Sequence, residues 1–274
     1  MTETILLDRL NDKQKSLLTQ LSYVNLDLEK IEQLQDIGKV TIIDLVQVLS
    51  NKDKPYLGSV AKKATGINTT SQELLQEMID NSLGNIEILG LQQDEKSSFF
   101  AIAFTDIQGN IGMSFRGTDV SNPKDLILDS LTDVNEYITN NSEQIQQALQ
   151  FYEKYAEKNR SNYLYGHSLG GNLVEHIMIN NLSNIKNAFV INPEHISQEL
   201  LDTPEKINAF NDPRKFSCYV VGGDWVSDLK KSDLFQNNIN YVRNNNSLKR
   251  NIMSEHAVES ASFNKNGGFD ITSR

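Results

Sequence analysis

Ser168 stands midway between two glycines in Tyr165-Gly166-His167-Ser168-Leu169-Gly170-Gly171. A serine hydroxyl is a poor nucleophile until a base takes its proton, so a reactive serine needs both a partner and an exposed position. A sharp strand-to-helix turn supplies the exposure. The chain folds back so tightly there that side chains two residues either side of the serine collide, and Gly166 and Gly170 remove the conflict. The helix opening at the turn aims its positive end at the group under attack, and the Leu169 amide can donate to a developing oxyanion. Gly171 is expected to let that helix lie close to the strand. The chemistry indicated is acyl transfer through a serine ester.

Such chemistry requires a base, an acid and a second oxyanion donor. The histidines are His167, His176, His195 and His256. His167 adjoins the serine and its side chain is expected to point elsewhere. His176 lies too far along the following helix to reach back. His195, after Pro193 at a strand end, and His256, in Met253-Ser254-Glu255-His256, both remain. For the acid, Asp224 follows Val220-Val221-Gly222-Gly223 at a strand end, with Asp228 as its rival. The acid orients the imidazole and stabilises its cation without itself titrating. In Phe115-Arg116-Gly117-Thr118-Asp119 the Thr118 amide and hydroxyl can supply the donor, with Gly117 allowing close approach; Arg116 reads as structural. Neither an H-E-x-x-H motif nor clustered His, Asp and Cys spacing occurs, so no metal or other cofactor is expected.

These residues must be held by elements. Residues 1 to about 90 read as mainly helical: Leu17, Leu18, Leu21 and Val24, then Ile42, Leu45, Val46 and Leu49, recur at helical spacing. Thr70 or Ser71 is expected to cap a helix bearing Leu74, Leu75, Met78 and Ile79. Near residue 97 the pattern changes. Phe99 to Phe104 and Ile111 to Phe115, joined by Gln108-Gly109-Asn110, predict a β-hairpin. Helical pattern follows from Asp125 to about Lys158, parted at Thr139-Asn140-Asn141. Then come a strand at Asn162–Tyr165, a helix at Asn172–Asn180, a strand at Ala188–Ile191, a polar stretch to Pro213, and a strand at Phe216–Val221. Cys218 in that last strand reads as an inert core thiol. Alternating strands and helices imply an α/β fold with a mostly parallel central sheet, flanking helices and a helical N-terminal region. The chain reads as one domain over 1–274, with 97–260 as the catalytic core.

Composition narrows the partners. The net charge is −10 over 274 residues. Such a surface repels nucleic-acid phosphate and offers no general attraction to anionic membranes, so contact with lipid would need a local apolar patch. One cysteine excludes an intrachain disulfide. The first residues lack the basic-then-apolar pattern of a secretory signal, and no segment is long and apolar enough to span a bilayer. The expectation is a soluble protein, cytoplasmic or exported by a route that needs no signal peptide.

The serine turn resembles the nucleophile elbow of α/β hydrolases, whose chain order is serine, acid, histidine. That order favours His256 over His195. Ser114-Phe115-Arg116-Gly117-Thr118, Gly166-His167-Ser168-Leu169-Gly170-Gly171, Asp224-Trp225-Val226 and His256 together are similar to the class 3 lipase family. The resemblance covers roughly residues 97 to 260. It implies Ser168 as nucleophile, Asp224 as acid, His256 as base, and Thr118 with Leu169 as oxyanion hole. Val226 is followed by Ser227 where the family has proline, and the strand after the elbow ends Asn192-Pro193-Glu194-His195 rather than in a glycine–proline loop. Asp119 to Tyr137 occupies the place of the family's lid, or else is a plain helix packed on the sheet. The implied activity is hydrolysis of carboxylic esters of lipids, acylglycerol or phospholipase A1-like, at a membrane or lipid surface. The helical front is also similar to lipase domains of antibacterial toxins exported by type VII secretion, which implies an immunity protein as partner. A hydrolase fold without activity, used for binding, is the reading from another class.

Overall fold

A computed structural model describes residues 5–50, 70–117, 142–222, 239–243 and 261–272. Among them the chain forms α1 (Asp12–Leu21), α2 (Leu28–Ile37), β1 (Val40–Thr41), α3 (Ile42–Leu45), α4 (Ser71–Asp80), β2 (Glu87–Asp94), β3 (Phe99–Thr105) and β4 (Ile111–Phe115). There follow α5 (Ser142–Tyr155), β5 (Asn162–His167), α6 (Leu169–Asn180), β6 (Ile185–Ile191), α7 (Pro204–Asn211), β7 (Phe216–Val221) and β8 (Ile239–Val242). Short 3-10 turns lie at Leu7–Arg9, Val46–Val48 and Gln198–Leu200.

The strands form one sheet in which spatial order follows sequence order. Pairing is antiparallel from β1 through β4 and parallel from β4 through β8. The sheet is therefore α/β-hydrolase-like and mostly parallel, and β4, β5, β6 and β7 all end along the same edge. The predicted hairpin is present as β3 and β4, with Ala103 opposite Met113.

Every residue of β3 is buried, which explains its unbroken apolar run. Phe100, Ile102 and Phe104 face one cluster with Leu17, Leu18 and Leu21 of α1 and Leu74, Leu75 and Met78 of α4. Phe99, Ala101 and Ala103 face the other, with Phe151 of α5, Leu173 and Ile177 of α6 and Phe210 of α7. The sheet is thus sandwiched, and the N-terminal helices form one of its two covering layers. Side-chain caps define the helix starts. Asn11 and Gln14 make a reciprocal capping box on α1, and Thr70 with Glu73 makes one on α4.

Four elements differ from expectation. The sheet begins at Glu87 (and, as a short edge, at Val40) rather than near residue 97. Glu87, Gly90, Gln92 and Gln93 dilute the apolar alternation of β2, because an antiparallel strand near the edge need bury only part of its side chains. The polar stretch before Pro213 contains α7, with Thr203 as N-cap and Pro204 at the first helical position. β8 was hidden between asparagine-rich stretches; Ile239 and Tyr241 are partly buried against the α6 side of the sheet and Val242 faces the other.

Candidate active site

Ser168 sits between the end of β5 and the first residue of α6, at φ 56° and ψ −128°. Few non-glycine residues tolerate positive φ, so the serine occupies a strained backbone position held by its surroundings. A Cβ on Gly166 would lie 2.3 Å from the Gly170 carbonyl oxygen, and one on Gly170 would lie 2.2 Å from that of Phe115. Both glycines are therefore required by backbone, which no side-chain adjustment can relieve. Gly171 serves a different contact from the one expected. Its Cβ would meet Pro193 at 2.7 Å, so what approaches α6 there is the loop after β6, with the β6 strand itself farther off at Val190.

The elbow is pinned from several sides. The Ser168 amide donates to the Ile191 carbonyl at 3.2 Å, and the Ser168 carbonyl accepts from Gly171, Asn172 and Glu194 amides at 2.9, 3.3 and 3.2 Å. The Asn172 side chain donates to the Glu194 carbonyl at 2.8 Å. Ser168 is half-buried while Leu169 is buried. Leu169 is the first residue of α6, so its amide has no acceptor within the helix and adds to the positive end of the helix dipole.

The loop after β6 carries a second set of restraints. Asn192 has φ 45°, and its side-chain oxygen accepts from the Val221 amide at 2.8 Å. This pegs the end of β7 to the end of β6. His195 is buried with Glu175 of α6: Nδ1 and Oε1 are 2.7 Å apart, and the Ile196 amide donates to the other carboxylate oxygen at 2.8 Å. Burial alone would lower the His195 pKa. The charge of Glu175, with hydrogen bonding to Cys218 and to Glu175, overrides it and raises the imidazole to about 10. Cys218 is buried, as expected of a core thiol, but it has this imidazole as a neighbour that its apolar strand did not reveal.

The remaining histidines divide similarly. His167 Nδ1 is 3.0 Å from the Tyr23 hydroxyl, turned toward the N-terminal layer. His176 is half-buried on α6. The Tyr23 hydroxyl also accepts from the Gly117 amide at 2.8 Å, a contact that no motif in the sequence signalled. Arg116 donates to the Ser98 carbonyl at 3.1 Å and lies over the Phe100 ring. Thr118, Asp224, its rival Asp228 and His256, together with the lid segment Asp119 to Tyr137, lie outside the described residues. The described chain brings Gly117 after β4, Ser168 and Leu169 after the neighbouring β5, and Gly222 after β7, two strands from β5, to the same edge of the sheet; Thr118 and Asp224 are the next and next-but-one residues in sequence after Gly117 and Gly222.

What the geometry can do chemically is present a hydroxyl beside a helix N-terminus at the rim of the sheet. The family model described as phospholipase-like, Tle-like phospholipase domain, matches residues 51–263. No curated protein matches the chain. Among solved structures, a triacylglycerol lipase from Penicillium expansum is 14% identical, with 69% of this chain and 81% of that one covered and a TM-score of 0.36. The Rhizomucor miehei lipase propeptide complex is 13% identical, with 59% and 58% covered and a TM-score of 0.39. With a family match over well more than half its length, the chain belongs to the phospholipase-like family, whose chemistry is the hydrolysis of lipid esters.

Proposed function

We propose that the protein is a serine-dependent lipase or phospholipase A1-like esterase working through an acyl-serine intermediate. The strained conformation of Ser168 at the head of α6, between two glycines that backbone contacts make obligatory, is the observation that carries the reading. His256 takes the Ser168 proton as the hydroxyl attacks the ester carbonyl, and Asp224 steadies the resulting imidazolium. The Leu169 and Thr118 donors hold the oxyanion. Collapse releases the alcohol or lysolipid, which takes the proton from His256. Water, deprotonated by the same imidazole, then attacks the acyl-serine, and the fatty acid leaves as Ser168 recovers its proton. The engagement of His195 with Glu175 supports His256 as the base, because a fully buried imidazole in an ion pair is not available to the serine. The whole chain acts as one catalytic unit in this reading.

The same chemistry directed at another cell's phospholipid would make this a toxin domain restrained by an immunity protein. The N-terminal helical layer ahead of the catalytic core supports that second reading. Ser168→Ala should leave the fold intact, abolish hydrolysis of short-chain nitrophenyl esters and abolish labelling by a fluorophosphonate. Labelling of wild type excludes the inactive-fold alternative, and equal activity in Ser168→Ala refutes the assignment. Mass spectrometry of lipid digests separates the substrates: lysophospholipid with free fatty acid supports the phospholipase, and release from acylglycerols alone opposes it.

A further inference from the structure

The parallel ladder between β4 and β5 ends at Phe115 opposite Gly166. One step farther on, the chain holding Ser168 and the chain leading to Thr118 must still keep a fixed separation, because one presents the attacking oxygen and the other an oxyanion donor. Arg116 bonds back to β3 through the Phe100 carbonyl. Gly117 does not bond to β5. Its amide donates instead to the hydroxyl of Tyr23, at 2.8 Å.

Tyr23 lies in the turn directly after α1 and is 2% exposed. Among the described residues its hydroxyl also meets His167, with Nδ1 at 3.0 Å and the carbonyl oxygen, an acceptor, at 3.4 Å. In either tautomer of the imidazole the hydroxyl joins residue 117 to residue 167. Gly117 is shaped for this. A Cβ there would stand 2.6 Å from the Tyr23 oxygen, 2.7 Å from the His167 carbonyl and 3.1 Å from the Ser168 Cβ. The close approach allowed by Gly117 is therefore an approach to the phenol and the elbow together. The tyrosine and histidine rings also touch, with centroids 5.8 Å apart.

Tyr23 is outside the residues 51–263 matched by the family model. We infer that Tyr23 is a positioning residue of the active site. It replaces the missing ladder rung between the elbow and the oxyanion strand, so the N-terminal layer is a working part of the catalytic unit. The inference rests on Ser168 being the nucleophile. Tyr23→Phe keeps the ring, removes only the bridge, and should let the two strand ends drift relative to each other. Misplacement on that scale lowers kcat by about tenfold to a hundredfold. KM should stay near the wild-type value, since the residue does not touch substrate.

A matched control makes the test specific. Tyr219 on β7 is also a phenol bound to the N-terminal layer, through Asp12 at 3.4 Å, but it joins no part of the elbow. Fluorophosphonate labelling rates and kcat are compared for wild type, Ser168→Ala, Tyr23→Phe and Tyr219→Phe, at a temperature where circular dichroism finds all four folded. Slow labelling and low kcat in Tyr23→Phe, with Tyr219→Phe near wild type, is the expected result. Wild-type rates in Tyr23→Phe overturn the inference. So does an equal loss in both phenylalanine variants, which would make Tyr23 only part of the packing. If wild type labels no faster than Ser168→Ala, the serine reading itself falls and the inference with it, a result distinct from either of the others.

Discussion

At Ser168 the backbone does work against stability. A residue at φ 56° and ψ −128° costs of order 1–3 kcal/mol, and the surroundings must hold it there. Glycine tolerates such angles, at some cost in unfolded-chain entropy. Ser168→Gly is therefore expected to raise unfolding free energy by about 1 kcal/mol while removing activity, measured by urea denaturation beside an ester assay. A loss of stability would mean that the strain is not borne by this residue. The turn at Ser168 was legible because its requirement for glycine is local: two residues on either side carry the signal. Tyr23 was illegible for the opposite reason. Its partner His167 is 144 positions away, and a tyrosine in a turn after an amphipathic helix has the pattern of ordinary core packing.

The elements were legible where burial is one- or two-sided in a regular way. β3 and β4 are buried throughout and β5 ends in the elbow, so hairpin, strand and following helix all follow from pattern. β2 and β8 did not, because strands away from the middle of the sheet bury fewer side chains. The helix α7 left a readable trace in Thr203-Pro204-Glu205, a cap followed by proline at the first helical position. Between α6 and the loop after β6, the Glu175–His195 pair has a measurable signature. With its pKa raised to about 10, His195 contributes stability in full below about pH 6.5, the ordinary imidazole value, and loses it as pH rises through about 10. Thermal melts should fall across that window in wild type. His195→Gln, which cannot titrate, should be less stable at neutral pH and lack that part of the slope. A wild-type profile flat over the window would refute the pairing.

For the molecule as a whole, the stretch from the 3-10 turn at Leu7–Arg9 through α1 is the shared structural member. The Ser114 hydroxyl donates to the Leu18 carbonyl, the Leu7 amide donates to Asp106 in the β3–β4 turn, and Asp12 accepts from Phe269. Leu17, Leu18 and Leu21 complete the cluster over Phe104, Tyr165 and Phe189. Truncation to residues 51–274, which begins where the family match begins, would leave α4 but bare the part of that face covered by α1. The expected outcome is an aggregating or unfolded product, measured by sedimentation and circular dichroism; a soluble, active truncation would show that the layer is an accessory. Sequence predicted this region to be helical but could not place it. Amphipathic periodicity says that a helix has a buried face and leaves open which surface buries it.

The bond from the Phe269 amide to Asp12 at 3.0 Å spans 257 positions, and the Lys13 amide reaches Gly267 at 2.8 Å. A contact of that span imposes an order on biosynthesis. α1 leaves the ribosome ahead of residue 269 and cannot gain these bonds until that residue has followed it. Contacts so distant along the chain also make for slow folding. The helix that covers β4 and β5 is thus fastened at its start by residues made about 250 positions later, so the α1 layer closes over the sheet after the strands beneath it have been made.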